Sequence, residues 1–464
     1  ATISPDGDVF FTGVTTATTF TGAHSGSGAN LTNLPAANIT GTLPAISAAN
    51  LTNVPAANIT GTLPAIDGSN LTGIGGTDFI HAEQISVSGV TTSQAFIPSQ
   101  GQLSHRNLII NGGMKVAQRN TSATAEGYTC DRYQVLFAGH DEAITQAQVD
   151  VASGTTPYSL GFRKALKLTN GNQTGGAGSS DYVLTRYKVE AQDIASSGWN
   201  YTSSSSYVTL SFWIKSSVAQ NFRFNLIAAD GTMQNYAYET GSLSADTWTK
   251  VTKTIPGASN IQFDNDNGVG LQLDFWAFAG TAYTDSSVTL NQWAAYSSGT
   301  RMPDHTSTWY TTNDATLELT GVQLEVGSAA TPFIHRSYGD ELAACQRYYY
   351  KHAYGTSRVG SSPSSSNNMG VAMMAGFEAS AGYGMVFFPV VMRATPTLEY
   401  ENVSNGYKVI YNNTLDYFNN IGTQQYSETC AVLSFTGGFG ITADSPGWVQ
   451  IYKTNSYVAF TAEL

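Results

Sequence analysis

The sequence predicts a mainly β protein: an elongated homotrimer with a repetitive N-terminal β-shaft, a central jelly-roll-like β-sandwich and a C-terminal β-rich head domain. Three observations lead there. Charged residues make up only 12% of the 464, against about 25% in an average globular chain, while aromatics reach 11% and there are 46 glycines. Such a chain has too few Glu, Lys and Arg to wet the outer faces of helices, and it suits strands joined by many turns. The block 31–50 recurs almost unchanged at 51–70. From about residue 106 onward, apolar and polar residues alternate in short runs, the period of a strand with one buried face. At roughly 150 residues per domain the length agrees with about three domains.

Residues 1–29 read as an attachment segment with a small β-module. Phe11–Phe20, FTGVTTATTF, is echoed at Val87–Phe96, VSGVTTSQAF, and each suggests a strand, a glycine turn and a second strand. Between them, residues 30–75 form the shaft. The two repeat blocks differ only at Leu34/Val54, Ser47/Asp67, Ala48/Gly68 and Ala49/Ser69, and a third copy begins at Leu71. Prolines at 35, 44, 55 and 64 exclude a continuous helix. The apolar positions Leu31, Leu34, Ile39, Leu43, Leu51, Ile59 and Leu63 recur regularly, yet each block is too small to enclose them. Three chains wound together would bury each against its symmetry mates, at about 1.5–3 kcal/mol apiece, and would hide the strand edges. No Lys or Arg precedes Arg106, which suits close packing of like chains. The Asn-x-Thr sequons fit the turn and strand chemistry of the repeat. Residues 76–104 form the second β-module and a linker.

Repeats of this kind, GxNLTxLPAANITGTLPA joined to TGVTTATTFTG, resemble virion fibre proteins of tailed bacteriophages, particularly cyanophages. The resemblance covers about residues 1–100.

Residues 105–336 are expected to form the sandwich. In Tyr207–Lys215, Val208, Leu210, Phe212 and Ile214 share one face, with Thr209, Ser211, Trp213 and Lys215 opposite. Phe222, Phe224 and Leu226 alternate likewise. So do Leu271, Leu273, Phe275 and Ala277, with Gln272, Asp274, Trp276 and Phe278 on the other face. Leu317, Leu319, Val322, Leu324 and Val326 close the set, with Gly321 marking a bulge. The order of strands resembles jelly-roll carbohydrate-binding modules and the middle domain of phage tail fibres. The opening Arg106–Met114, RNLIINGGM, and the closing Gly321–Phe333, GVQLEVGSAATPF, carry that resemblance. It implies glycan binding, for which outward aromatic rings are the natural platforms: Trp213, Trp276, Trp309 and Tyr310 are the candidates, and Trp248 is read as core. Asp264 and Asp266, in the run Asp264-Asn-Asp-Asn-Gly268, offer closely spaced oxygens of the kind calcium takes; an ordinary Asx-rich turn is the alternative, and the distal Glu of a full EF-hand loop is missing. No cofactor is otherwise required.

Residues 337–464 are expected to form the head, or tip. Asp340 is placed as the cap of a short helix with Leu342, Cys345 and Tyr349 on one face. Cys345–Tyr350, Phe388–Leu398 and Tyr457–Leu464 resemble the distal domain of phage fibres, which implies a trimeric tip whose exposed loops meet the host. The Gly- and Ser-rich stretches 355–370 and 436–447 are the contact candidates, represented by Ser361, Asn367, Asn368 and Gly438. The seven histidines are scattered, so no closely spaced pair offers a metal site.

The remaining features narrow the function. A net charge of −12 argues against nucleic acid, which needs a basic face. The most apolar stretch, Val371–Met392, is broken by Glu378, Gly382, Gly384 and Pro389, so no membrane insertion is expected. The N-terminus lacks the pattern of a signal peptide. Cys130, Cys345 and Cys430 lie far apart without zinc spacing and read as buried thiols of a chain assembled in a reducing cytoplasm. No phosphate loop, nucleophile elbow or zinc-helix motif is present, and the repeat holds a single carboxylate, Asp67, so no enzyme is expected. Asp264, Asp266 and Asp274 are the nearest thing to a catalytic carboxylate pair. The expected function is a structural fibre of the virion, most simply a trimeric tail fibre adhering to host polysaccharide or lipopolysaccharide and docked through its N-terminus on a tail, baseplate or capsid protein. A head- or collar-attached fibre without a receptor is the alternative, and a glycan-cleaving tailspike a third. Weak contacts repeated over many tips would sum to firm attachment. Since three such chains triple the negative charge, stacking and hydrogen bonds rather than charge attraction would have to drive the contact.

Overall fold

The structure, a computed structural model, describes residues 2–10 and a few positions up to 21, then 105–464 except 356–368 and 455. The shaft positions Leu31 to Leu63 and the loop positions Ser361, Asn367 and Asn368 lie outside the described residues. The chain divides into two compact units, Ala1–Thr92 and Ser93–Leu464. Of the first, an antiparallel hairpin is described: Thr2–Ile3 pairs with Val9–Phe10. Gly7 turns it at φ +87, a backbone region that only glycine enters without cost.

The second unit is built of antiparallel sheets. A seven-stranded sheet runs, in spatial order, Trp293–Ala295, Gln234–Ser242, Asn221–Ala228, Val269–Ala279, Tyr182–Glu190, Gln134–Ala138 and Gly127–Tyr128. A six-stranded sheet runs Thr249–Pro256, Tyr207–Ser216, Thr316–Val326, Lys164–Thr169, Thr145–Asp150 and Ser122–Ala123. The chain passes repeatedly from one to the other, the crossing pattern of a jelly roll. Val208, Leu210, Phe212 and Ile214 do share the inner face, all of them buried. Phe212 meets Phe275 of the facing sheet edge-on at 5.3 Å and Phe224 of that same sheet at 5.8 Å, so the two sheets interlock through aromatic rings. The bulge falls where expected: pairing with Tyr207–Ser216 slips between Thr320 and Gln323, and Gly321 takes φ +64.

The opening and closing motifs lie side by side. Leu108 N–H donates to the Leu324 carbonyl at 2.9 Å and Val322 N–H to that of Gly112 at 2.9 Å. Asn107 Oδ1 accepts from both Ile109 and Leu324 N–H. The Glu325 carboxylate takes the N–H and hydroxyl of Thr331, at 2.8 and 2.6 Å, which ties down the turn after the last strand.

Beyond the sandwich, the helix Tyr338–Gln346 is capped by Ser337, whose Oγ accepts from Asp340 N–H at 3.1 Å. This corrects the expectation for Asp340, which stands in the first turn and accepts from the Ser337 hydroxyl. Ser-x-x-Asp satisfies the cap from the earlier residue, and Asp340 serves as the reciprocal partner. Tyr349 lies beyond the helix, in the strand Tyr349–Tyr354. That strand joins a three-stranded sheet in the order Tyr349–Tyr354, Tyr457–Thr461, Thr397–Tyr400. A second seven-stranded sheet runs Thr414–Phe418, Tyr407–Tyr411, Pro446–Ile451, Gly370–Glu378, Ala381–Phe387, Cys430–Thr436, Asn420–Tyr426. Val458 and Phe460 of the smaller sheet, with Val409, Leu433 and Val449 of the larger, belong to one apolar core.

A polar seam joins this tip to the sandwich. The fully buried Glu190 carboxylate accepts from Arg347 Nε and Nη2 at 2.7 and 2.8 Å and from the Tyr348 hydroxyl at 2.5 Å. Arg132 and Arg119 reach Glu463 at 2.5 and 3.2 Å. Arg393 donates to the carbonyls of Asn267 and Ala462, each at 2.7 Å. All three cysteines are free; Cys130 and Cys345 are buried as expected, which pushes their thiols up, away from reactivity, whereas Cys430, also expected to be buried, is only half-buried at the start of its strand. Among the described residues no helix is long and apolar enough to cross a membrane.

Candidate functional site

The four aromatic candidates part company. Trp276 is 1% exposed, and its indole N–H donates to Asn225 Oδ1 at 2.7 Å. Trp309 and Tyr310 are both 0% exposed; Tyr310 stacks on Phe278 at 4.3 Å. None of these three can offer a face to a sugar. Alternation failed because Val269–Ala279 is buried on both faces: the excursion after it folds back, setting Tyr283 and Arg301 against Trp276. Trp213 is half-buried beside a satellite cluster of Val151, Phe162 and Ala165. Trp248, read as core, is also half-buried beside that cluster, under the Lys215 ammonium at 5.3 Å.

The acidic loop is held as an Asx turn, with Asp266 Oδ1 accepting from Gly268 N–H at 2.8 Å. Asp264 N–H donates to Asp230, whose carboxyl is pushed up by burial and by the charges of Asp264 and Asp266. Among the described residues no three His, Cys, Asp or Glu gather as metal ligands would. Asp274 is buried in a two-point ion pair with Arg186, at 2.8 Å for each contact, and stands apart from any carboxylate pair. Gly438 is exposed, in a left-handed turn at φ +83.

Two surfaces of the tip were not singled out in the sequence. The first is the outward face of its seven-stranded sheet. Register aligns Leu415 with Ile410, Ile410 with Trp448, and Trp448 with Met373, and further along Met385 with Val432. Exposure is 68% at Met373, 50% at Met385, 71% at Phe387 and 44% at Trp448. This apolar row crosses the sheet, while the alternate residues Met374, Val386 and Val449 fill the core.

The second is a cleft of about 510 Å³ over the three-stranded sheet, roofed from the sandwich by Arg119 and Asn120. Register sets Lys351 and Glu399 on either side of Ala459, a buried residue with only a methyl to fill the middle. Tyr354 pairs with Tyr457 at one end. The Arg119 guanidinium lies 3.5 Å over the Tyr349 ring and shares the Glu463 carboxylate with Arg132. Lys351 Nζ donates to the Arg119 carbonyl at 3.0 Å and sits 5.2 Å over Tyr354; burial draws its pKa down. The carboxylates of Glu399 and Glu401 accept no hydrogen bond and enter no ion pair among the described residues. Burial, then the Glu399 and Glu401 charges, push the Tyr457 phenol up. The signal was the charged Lys351 and Glu399 on short aromatic-rich strands, with Glu401 two residues past Glu399.

No family model and no curated protein matches the sequence. Solved structures similar to this chain include the enzymatically active domain of tailspike protein 4 of bacteriophage CBA120, at TM-score 0.27 and 10% identity over 48% of this chain and 21% of that one. A CBM4 carbohydrate-binding module is similar at TM-score 0.25 and 14% identity, over 47% of this chain and 98% of that one. A family 11 carbohydrate-binding module of a cellulosomal cellulase of Clostridium thermocellum is similar at TM-score 0.22 and 13% identity, over 46% and 98%. The chain thus spans about a fifth of the tailspike structure it matches.

Proposed function

We infer that this chain is a virion fibre of a tailed bacteriophage that assembles as a homotrimer and adheres to glycan on the host surface through its sandwich and tip. The observation that carries the reading is the apolar row on the outward face of the tip sheet, from Leu415 through Trp448 and Met373 to Met385. A continuous apolar band of this kind on a soluble domain marks a protein interface, and copies of one chain around a symmetry axis cover it with the same surface. The repeat of residues 30–75, with its regular Leu and Ile, asks for the same partner. The jelly-roll architecture and the resemblance of the opening and closing motifs to fibre domains support glycan adhesion. In this reading the chain holds glycan without cleaving it, and its N-terminal segment docks on another virion protein.

The test is binding of the intact chain to cells of a susceptible host and of a mutant resistant to the phage, with sedimentation measured in parallel. A trimer that binds susceptible cells alone is expected. A trimer that binds neither would turn the assignment to a decorating fibre, and a monomer would remove the basis of the reading.

A further inference from the structure

Resting on the reading of the chain as a glycan adhesin, we propose that the cleft between tip and sandwich is a saccharide site that takes an uncharged or amino-bearing hexose unit and rejects acidic ones. Size comes first: about 510 Å³ accommodates one or two sugar rings. Chemistry comes second. Tyr354 and Tyr457 stand next to each other at one end, and a pyranose presents C–H groups on its flat face that pack on such rings. Glu399 and Glu401, one side-chain position apart on the same side of the chain, hold free carboxylate oxygens, which accept only from donors: hydroxyls, an amide N–H or an ammonium. Ser456 Oγ lines the same space, is buried, and has no hydrogen-bond partner, so a donor and acceptor waits unsatisfied there.

The charge balance then selects among sugars. Arg119 shares the Glu463 carboxylate with Arg132, and Lys351 donates to the Arg119 carbonyl, so neither cation pairs with Glu399 or Glu401. A uronate or other acidic sugar would set its carboxylate against the two unpaired carboxylates of Glu399 and Glu401, which have no proton to donate to it, whereas neutral hydroxyls or an amine meet these acceptors directly.

The experiment uses the intact chain on four immobilised probes: maltohexaose, a glucosamine hexamer, its N-acetylated form and hexagalacturonate. Binding to one or more of the first three and not to hexagalacturonate is expected. Tyr354→Ala and Glu401→Gln should each weaken it about tenfold or more, the scale of a lost charged hydrogen bond or stacking face, with sedimentation and circular dichroism unchanged. Preference for hexagalacturonate, no binding to any probe, or undiminished binding by the folded variants would each overturn this site. The adhesin reading is judged separately by the cell assay: cells bound normally by the Tyr354 and Glu401 variants would place adhesion elsewhere on the chain, while an intact chain that ignores both cells and probes would remove both.

Discussion

Replacing Glu190 with alanine should loosen the tip from the sandwich. The carboxylate is fully buried and receives four hydrogen bonds: two from Arg347, one from the Tyr348 hydroxyl and one from Gln192 Nε2 at 2.6 Å. Its loss strands a buried phenol and a guanidinium. Removing one member of a buried pair costs about 3–5 kcal/mol, and because Arg347 is 30% exposed and regains water, the lower end, about 3 kcal/mol, is expected. A double-mutant cycle with Arg347→Ala should return a coupling of roughly 1.5–2 kcal/mol, read from urea unfolding. The pH dependence has a definite sign. Burial pushes the Glu190 carboxyl up, but the hydrogen bonds from Arg347 and Tyr348 outweigh it and hold the pKa below the ordinary value. A carboxylate depressed in the folded state contributes stability above its unfolded pKa, near 4.5, and that stability is lost as pH falls below it. Glu190→Ala should therefore lose part of the wild-type decline in stability between neutral pH and the acid range. A coupling below about 0.5 kcal/mol, or identical acid profiles, would refute the claim that this cluster holds the seam.

Met373→Glu should prevent assembly through the tip sheet while leaving the fold of each chain intact, since the side chain is 68% exposed; sedimentation velocity at micromolar concentration should then show a smaller species. Trp276→Ala should cost about 3–5 kcal/mol of sandwich stability, the price of a buried indole, whereas Trp213→Ala, at a half-buried site, should cost visibly less in thermal unfolding. Equal losses at the two positions would contradict the burial that separates them.

The two kinds of information divide along the range of the interactions. Alternation in Tyr207–Lys215, the glycine bulge at 321 and the unpaired cysteines are local matters, decided by strand pleat, backbone sterics and spacing, and each reads correctly from the residues alone. Period-two patterning says that Trp276 lies opposite Phe275; it does not say that the loop carrying Tyr283 and Arg301 returns to cover that second face. The cap of the helix Tyr338–Gln346 is a local motif too, yet Ser337 and Asp340 compete for it, and the geometry awards it to Ser337. The cleft is furthest from legible. Its floor and walls come from strands around residues 351, 399 and 459, and its roof from residue 119. Composition and alternation mark Lys351 and Glu399 as polar positions on half-buried strands. Sheet order and register bring Lys351, Ala459 and Glu399 into one row, because hydrogen-bonded pairing acts across the fold and is indifferent to distance along the chain.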